Sequence, residues 1–122
     1  DILLVSGTCN ENIVIRDDVL RIPLDGQGTA TISGPDATLD TIDVRGRGIT
    51  IRGFNVTGGR DGIRIFRGGT AANIDGNSIQ STGRNGISVS RNSSASITNN
   101  TECQCWDRAV SFDGTCINAT TP

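Results

Sequence analysis

Self-similarity at a spacing of 23 residues runs through the middle of this chain. Ile51-Arg52-Gly53-Phe54-Asn55-Val56 returns as Ile74-Asp75-Gly76-Asn77-Ser78-Ile79, and again as Ile97-Thr98-Asn99-Asn100-Thr101-Glu102. A second column keeps step with the first. Arg60-Asp61-Gly62-Ile63-Arg64-Ile65 matches Arg84-Asn85-Gly86-Ile87-Ser88-Val89, which matches Asp107-Arg108-Ala109-Val110-Ser111-Phe112. Inside each block apolar residues recur at i, i+2 between Gly, Asn and Asp, a strand-and-turn pattern with no helical period. The earlier rungs are looser. Ile13 and Ile15 lead to Ile42 and Val44 and then to Ile63 and Ile65; Ile32 leads to Ile51, with Gly34 and Gly53 in step. The first period is longer, and its extra residues between Arg16 and Gly28 are expected to hold an additional short strand around Ile22 and Leu24.

A period near 23 with about three short strands is one coil of a parallel solenoid. A single coil cannot bury its apolar face, whereas stacked coils bury a continuous column. The sequence therefore predicts an all-β fold of about four to five three-strand coils, with residues 1–102 as coils and 103–122 as a Cys-rich C-terminal coil and cap of the same domain. A chain of 122 residues supports one core of this kind. Ile51/Ile74/Ile97, Val56/Ile79 and Ile63/Ile87/Val110 are the predicted buried columns. Gly34, Gly53, Gly76 and Asn99 are predicted to make left-handed corners, because Gly and Asn tolerate positive φ. Asn77 and Asn100 occupy the place of Phe54 and are predicted to stack amide on amide. A leucine-rich repeat would need helical outer segments, and a β-sandwich would not keep matched columns over three periods.

Composition closes off several activities. The chain has no His, which removes a Ser-His-Asp triad, a His metal ligand and an imidazole base. Its 11 basic against 13 acidic residues argue against a general nucleic-acid binder. The longest apolar run, Ile2 to Val5, is far too short for a membrane span.

Four cysteines, Cys9, Cys103, Cys105 and Cys116, suggest an oxidising compartment, hence a secreted, surface or periplasmic location. The C-x-C spacing of Cys103 and Cys105 is poor for zinc. Cys9 lies in the first coil and the others in the last, on the order of 20 Å away at roughly 4.8 Å per coil. A disulfide needs Cα atoms within about 7 Å. Cys116 is thus expected to pair with Cys103 or Cys105, and Cys9 to be free or intermolecular.

At the level of motif the chain resembles the right-handed parallel β-helix repeat proteins of the pectate-lyase-like superfamily. The resemblance is carried by Gly48-Ile-Thr-Ile-Arg-Gly-Phe-Asn-Val-Thr-Gly-Gly59, Asp61-Gly-Ile-Arg-Ile65 and Asn85-Gly-Ile-Ser-Val89, with Leu3 to Ile13 similar to a first coil. It implies a right-handed coil and an N-terminal cap helix; the chain instead opens on the strand-like Asp1-Ile-Leu-Leu-Val5, so the cap is expected to be missing and the first coil to be open to a second copy. It also implies chemistry on acidic polysaccharides. The polygalacturonase type needs a His that this sequence lacks. The lyase type uses an Arg base and Asp-held calcium. Asp43, Arg60, Asp61, Arg64 and Arg84 are the candidate patch; Asp40, Asp61 and Asn85 are expected to stack, but no tight acidic cluster is visible. Arg60 over Arg84 and Arg67 near Arg91 read as solvated charged ladders outside the coil, or as a strip that pairs with carboxylates. Trp106 is a candidate sugar platform. The expectation is a non-catalytic structural or binding module for acidic carbohydrate, without an obligatory cofactor and with calcium as a secondary candidate. The alternatives are an accessory domain or remnant of a polysaccharide lyase or hydrolase, and a protein that self-assembles through its open ends.

Overall fold

The structure is a computed structural model. It describes residues 2–66, 71–90, 93–103, 108–112 and 115–119, as backbone alone from residue 102 onward. Its strands form three parallel sheets. Sheet A stacks β1 (Leu3–Leu4), β4 (Pro23–Asp25), β7 (Thr50–Arg52), β10 (Ala72–Asp75), β13 (Ser94–Thr98) and β16 (Thr115–Ala119). Sheet B stacks β2 (Thr8–Cys9), β5 (Thr31–Gly34), β8 (Asn55–Gly58), β11 (Ser78–Gln80) and β14 (Thr101–Cys103). Sheet C stacks β3 (Ile13–Ile15), β6 (Ile42–Val44), β9 (Ile63–Ile65), β12 (Asn85–Val89) and β15 (Arg108–Phe112). The chain visits A, B and C in turn and then starts again one strand further along, which makes a β-solenoid of about four turns. Among the described residues there is no helix, and so none long and apolar enough to cross a membrane.

The predicted columns are the core. Ile51, Ile74 and Ile97 pair in register in sheet A, Val56 and Ile79 in sheet B, and Ile63 and Ile87 in sheet C, all of them buried. Val110 continues the last column in backbone register with Ile87. In β5, β7, β9, β10, β11 and β13 burial alternates along the strand, so a strand of three residues gives the core only one or two side chains. Stacking is what turns these into a continuous apolar interior.

Two expectations about the early coils are corrected. Ile32 does not stack on Ile51; it lies in sheet B on Val56, and Gly34 lies on Gly58. The residue in register with Ile51 is Leu24, which in turn pairs with Leu3. Leu24 therefore belongs to the regular sheet A strand of its coil and not to an additional one. The extra length sits before it, where Leu20 makes a lone bridge to Arg47. Gly34, being within a strand, is not a left-handed corner, whereas Gly53 (φ 69°), Gly76 (φ 68°) and Asn99 (φ 56°) are.

These corners set the interior polar ladder. Between sheets A and B the inward position is held by Phe54, Asn77 and Asn100 in successive coils, each at most 2 % exposed. Phe54 N–H donates to Asn77 Oδ1 at 3.0 Å, and Asn77 N–H donates to Asn100 Oδ1 at 2.9 Å. The amide nitrogens of Asn77 and Asn100 donate to the carbonyls of Ile51 and Ile74, each at 2.9 Å, and Asn77 Nδ2 also donates to Asn100 Oδ1 at 3.0 Å. The expected asparagine ladder is thus present, and it satisfies the corner N–H groups of Phe54 and Asn77. On the other side of sheet B, Gly62 has no room for a side chain: a Cβ there would lie 2.6 Å from Ile79 Cγ2 and 2.7 Å from Gly86 O.

Cys9 continues the inward column of sheet B, half-buried and in register with Ile32, as a free thiol. Cys103 lies in β14 at the opposite edge of that sheet. Cys105 falls outside the described residues.

Replacing Asn77 by Ala strands the buried Phe54 N–H and removes the amide that bonds the Ile51 carbonyl and Asn100 Oδ1. Chemical denaturation should show a loss of about 3 kcal/mol, at ~1–3 kcal/mol per unsatisfied buried group. Asn73→Ala, on the exposed outer face of β10 in the same coil, should stay within about 0.5 kcal/mol of the parent.

Candidate functional site

The outer face of sheet C carries the charged residues singled out in the sequence. Val14, Asp43, Arg64 and Ser88 follow one another in register along it. Before β6 the chain makes its long excursion from sheet B, residues 35–41, and Asn12 of the neighbouring coil pins that loop. Asn12 Nδ2 donates to the carbonyls of Asp36 and Asp40 at 3.1 Å, and Asp36 N–H donates back to Asn12 Oδ1 at 3.0 Å. The loop tip is itself held by Asp36, which accepts from the Thr38 hydroxyl and N–H. Those bonds keep the Asp36 carboxyl below its ordinary pKa.

The loop leaves Asp40 at the base of a cleft of about 190 Å³. Arg60 Nε lies 3.5 Å from Asp40 Oδ1 and Arg64 Nη1 lies 3.8 Å from Oδ2. Opposite them Arg45 Nη2 bonds Asp43 Oδ2 at 3.0 Å. Phe66 closes that end, with the Arg64 guanidinium 4.0 Å from its ring centre and that of Arg45 at 5.7 Å, both cation–π contacts. Leu39 and Val14 supply apolar wall. The lining thus holds three guanidiniums and two carboxylates.

Its hydrogen bonding is incomplete. Asp43 Oδ1 and the Nε atoms of Arg45, Arg60 and Arg64 are buried without a hydrogen-bond partner among the described residues. The three arginine side chains are nonetheless 21–38 % exposed. Burial raises the Asp40 carboxyl above its ordinary pKa; the charges of Asp61 and Asp43 push the same way, while Arg60 and Arg64 pull it down.

Asp61 and Arg84 form a separate pair one coil along, outside the cleft lining. Asp61 is fully buried and accepts from Arg84 Nε at 2.9 Å, from Arg84 Nη2 at 2.6 Å and from Asn85 N–H at 3.0 Å. The same relation recurs a coil earlier, where Asp61 N–H donates to Asp40 Oδ1 at 3.3 Å. The expected stack of Asp40, Asp61 and Asn85 is therefore present. The arginines lie outside the coil, 37 % exposed at Arg60 and 41 % at Arg84, and each covers a buried carboxylate of the preceding coil. Arg60 does lie over Arg84, with Arg84 N–H bonded to Arg60 O, but the interleaved Asp40 and Asp61 offset their repulsion.

Of the sequence-predicted site residues, Arg60 and Arg64 meet in the cleft with Asp43, and Asp61 and Arg84 lie beside it. Arg67, Arg91 and Trp106 fall outside the described residues. Asn12, Leu39, Arg45 and Phe66 were not singled out by the sequence reading, because they come from corners and loops where the repeat is irregular. Among the described residues no group of three or more acidic or thiol side chains could hold a metal ion. Compared with known proteins, the chain matches no family model, no curated sequence and no solved structure.

Removing Arg84 uncovers a buried carboxylate. Arg84→Ala should lower unfolding free energy by about 2–3 kcal/mol, below the usual cost for fully buried pairs because Arg84 is partly exposed. Adding Asp61→Asn should recover about half of that loss; thermal and urea unfolding of the two variants check both values.

Asp40 gives a pH test with the opposite sign to a salt-bridged carboxylate. Because folding raises its pKa, the folded chain binds a proton that the unfolded chain does not, between the ordinary value of about 4 and the raised one. Its contribution to stability therefore falls as pH rises through that window. Measured by urea unfolding, Asp40→Asn should gain stability relative to the parent as pH is raised from 3.5 to 7.

Proposed function

We propose that this chain is a non-catalytic β-solenoid module, secreted or held at a cell surface, that binds acidic carbohydrate in the cleft over sheet C. The observation that carries the reading is the convergence of three partly exposed arginine side chains, Arg45, Arg60 and Arg64, on one cleft beside Asp43. Arginine pairs with carboxylate, and a carboxylate oxygen accepts from a hydroxyl. A uronic acid residue brings both groups on one ring. The volume, about 190 Å³, is below the roughly 300–1,000 Å³ of drug-sized sites and suits a single sugar residue. The motif resemblance to pectate-lyase-like repeats agrees with this ligand class. A binding role is favoured over a lyase because Asp40 and Asp43 both face arginines, which leaves no free carboxylate cluster for calcium among the described residues. An extracellular setting goes with a disulfide from Cys116 to Cys103 or Cys105.

A second reading, self-association of two copies through the first coil, is favoured by the exposure of Ile2, Leu3, Leu4, Leu20 and Ile22 beside the edge strand β1.

Isothermal titration calorimetry with D-galacturonate and D-galactose tests the first reading. Galacturonate should bind and galactose should not, and Arg64→Ala should weaken binding about tenfold, the worth of one charge-assisted hydrogen bond. Polygalacturonate should yield no ultraviolet-absorbing product with or without calcium. Equal binding of the two sugars, or release of such a product, overturns it.

A further inference from the structure

Two arginines of the cleft share one carboxylate without hydrogen-bonding it. Arg60 and Arg64 stand 3.5 and 3.8 Å from the two oxygens of Asp40, beyond good hydrogen-bond length, and the Nε of each has no partner among the described residues. The pairing is electrostatic, without a hydrogen-bonded fork, so an anionic ligand can compete with Asp40 for the same guanidiniums. Asp40 itself cannot move to meet a ligand. Its side chain is 4 % exposed, its Oδ1 accepts from Asp61 N–H, and its carbonyl is pinned by Asn12.

We propose that Asp40 competes with an anionic ligand for this cleft: it occupies Arg60 and Arg64, sets the cleft's net charge, and weakens anion binding whenever it is itself ionised. With Asp40 ionised, three arginines face two carboxylates; with Asp40 neutral, they face one. The charged groups around it come from every element packed there. Arg60 and Asp61 lie in the corner before β9, Arg64 is on β9, Asp43 is on β6, and Arg45 follows β6. Arg84 reaches the group only through Asp61. Burial first, then the charges of Asp61 and Asp43, raise its pKa above the ordinary carboxyl value, so it takes up its proton at a higher pH than an ordinary carboxylate. By linkage, an anion that takes up Arg60 and Arg64 must also favour the proton on Asp40.

This rests on the binding reading above, and its test separates the two. D-Galacturonate is titrated into the parent and into Asp40→Asn at pH 7, 6, 5 and 4.5, in buffers of different ionisation enthalpy. The Asn variant keeps the acceptor for Asp61 N–H. The parent should bind more tightly as pH falls, by up to about tenfold once Asp40 is neutral, as expected for one charge removed near the ligand at intermediate dielectric. Where Asp40 titrates, the parent should also take up a fraction of a proton on binding. Asp40→Asn should bind at pH 7 with the parent's acid-pH affinity, with a flat profile and no proton uptake. Equal pH profiles in the two proteins, or no proton uptake by the parent, overturns the role of Asp40 while leaving the cleft a binding site. Absence of binding by either protein at every pH overturns the binding reading and this inference with it.

Discussion

Each coil of this molecule depends on its neighbours for the hydrogen bonds it cannot make itself. The strands are so short that the corners between them make up a large part of the chain, and a corner turned inward exposes backbone N–H groups to an apolar interior. Two side-chain columns answer this. At the A–B corner, Asn77 and Asn100 each accept an N–H from the coil before. At the B–C corner, Asp40 and Asp61 each accept an N–H from the coil after. The two columns run in opposite senses, so a middle coil is held from both sides. The use of aspartate in the second column is what brings arginine to the surface there, since a buried carboxylate requires a nearby cation. The cleft follows from a structural need: its charges begin as the balance for a corner.

The repeat was legible where the corners are short. Gly53-Phe54, Gly76-Asn77 and Asn99-Asn100 each join sheet A to sheet B in two residues, so Ile51, Ile74 and Ile97 recur at constant spacing and align by eye. It was misread where corners lengthen. Thr31-Ile32-Ser33-Gly34 looks more like Thr50-Ile51-Arg52-Gly53 than its true partner Asn55-Val56-Thr57-Gly58 does. Strands of sheets A and B obey the same alternation, one apolar residue between two polar ones. Local likeness then says that a segment is a rung, but not which sheet it joins. Only the count of residues around the coil decides that, and the long connections at 16–22 and 35–41 disturb the count.

The site was legible in the same uneven way. Arg60 and Arg64 stood out because they flank a clear strand. Arg45 and Phe66, which complete the cleft, each follow the last residue of a sheet C strand. Nothing in the period marks that place as special, because it is a corner whose occupants change from coil to coil. What the sequence did not show is how the arginines on that face are balanced. Charge counted along the sequence does not reveal that Asp40 and Asp61 point inward at the corner while their arginines lie over them one coil later.

The asparagine column has a bearing on how such a chain can change length in the course of its history. A duplicated or deleted segment of one full period brings a complete set of parts: an amide for the corner, one apolar residue for each sheet and a partner for the next carboxylate. The coils on either side then meet a surface of the kind they already fit. A segment of any other length shifts an amide into a strand and an isoleucine into a corner, and leaves both neighbours with unmatched groups. Growth by whole turns, with loose variation confined to outward connections such as 16–22 and 35–41, is the form of divergence this architecture permits.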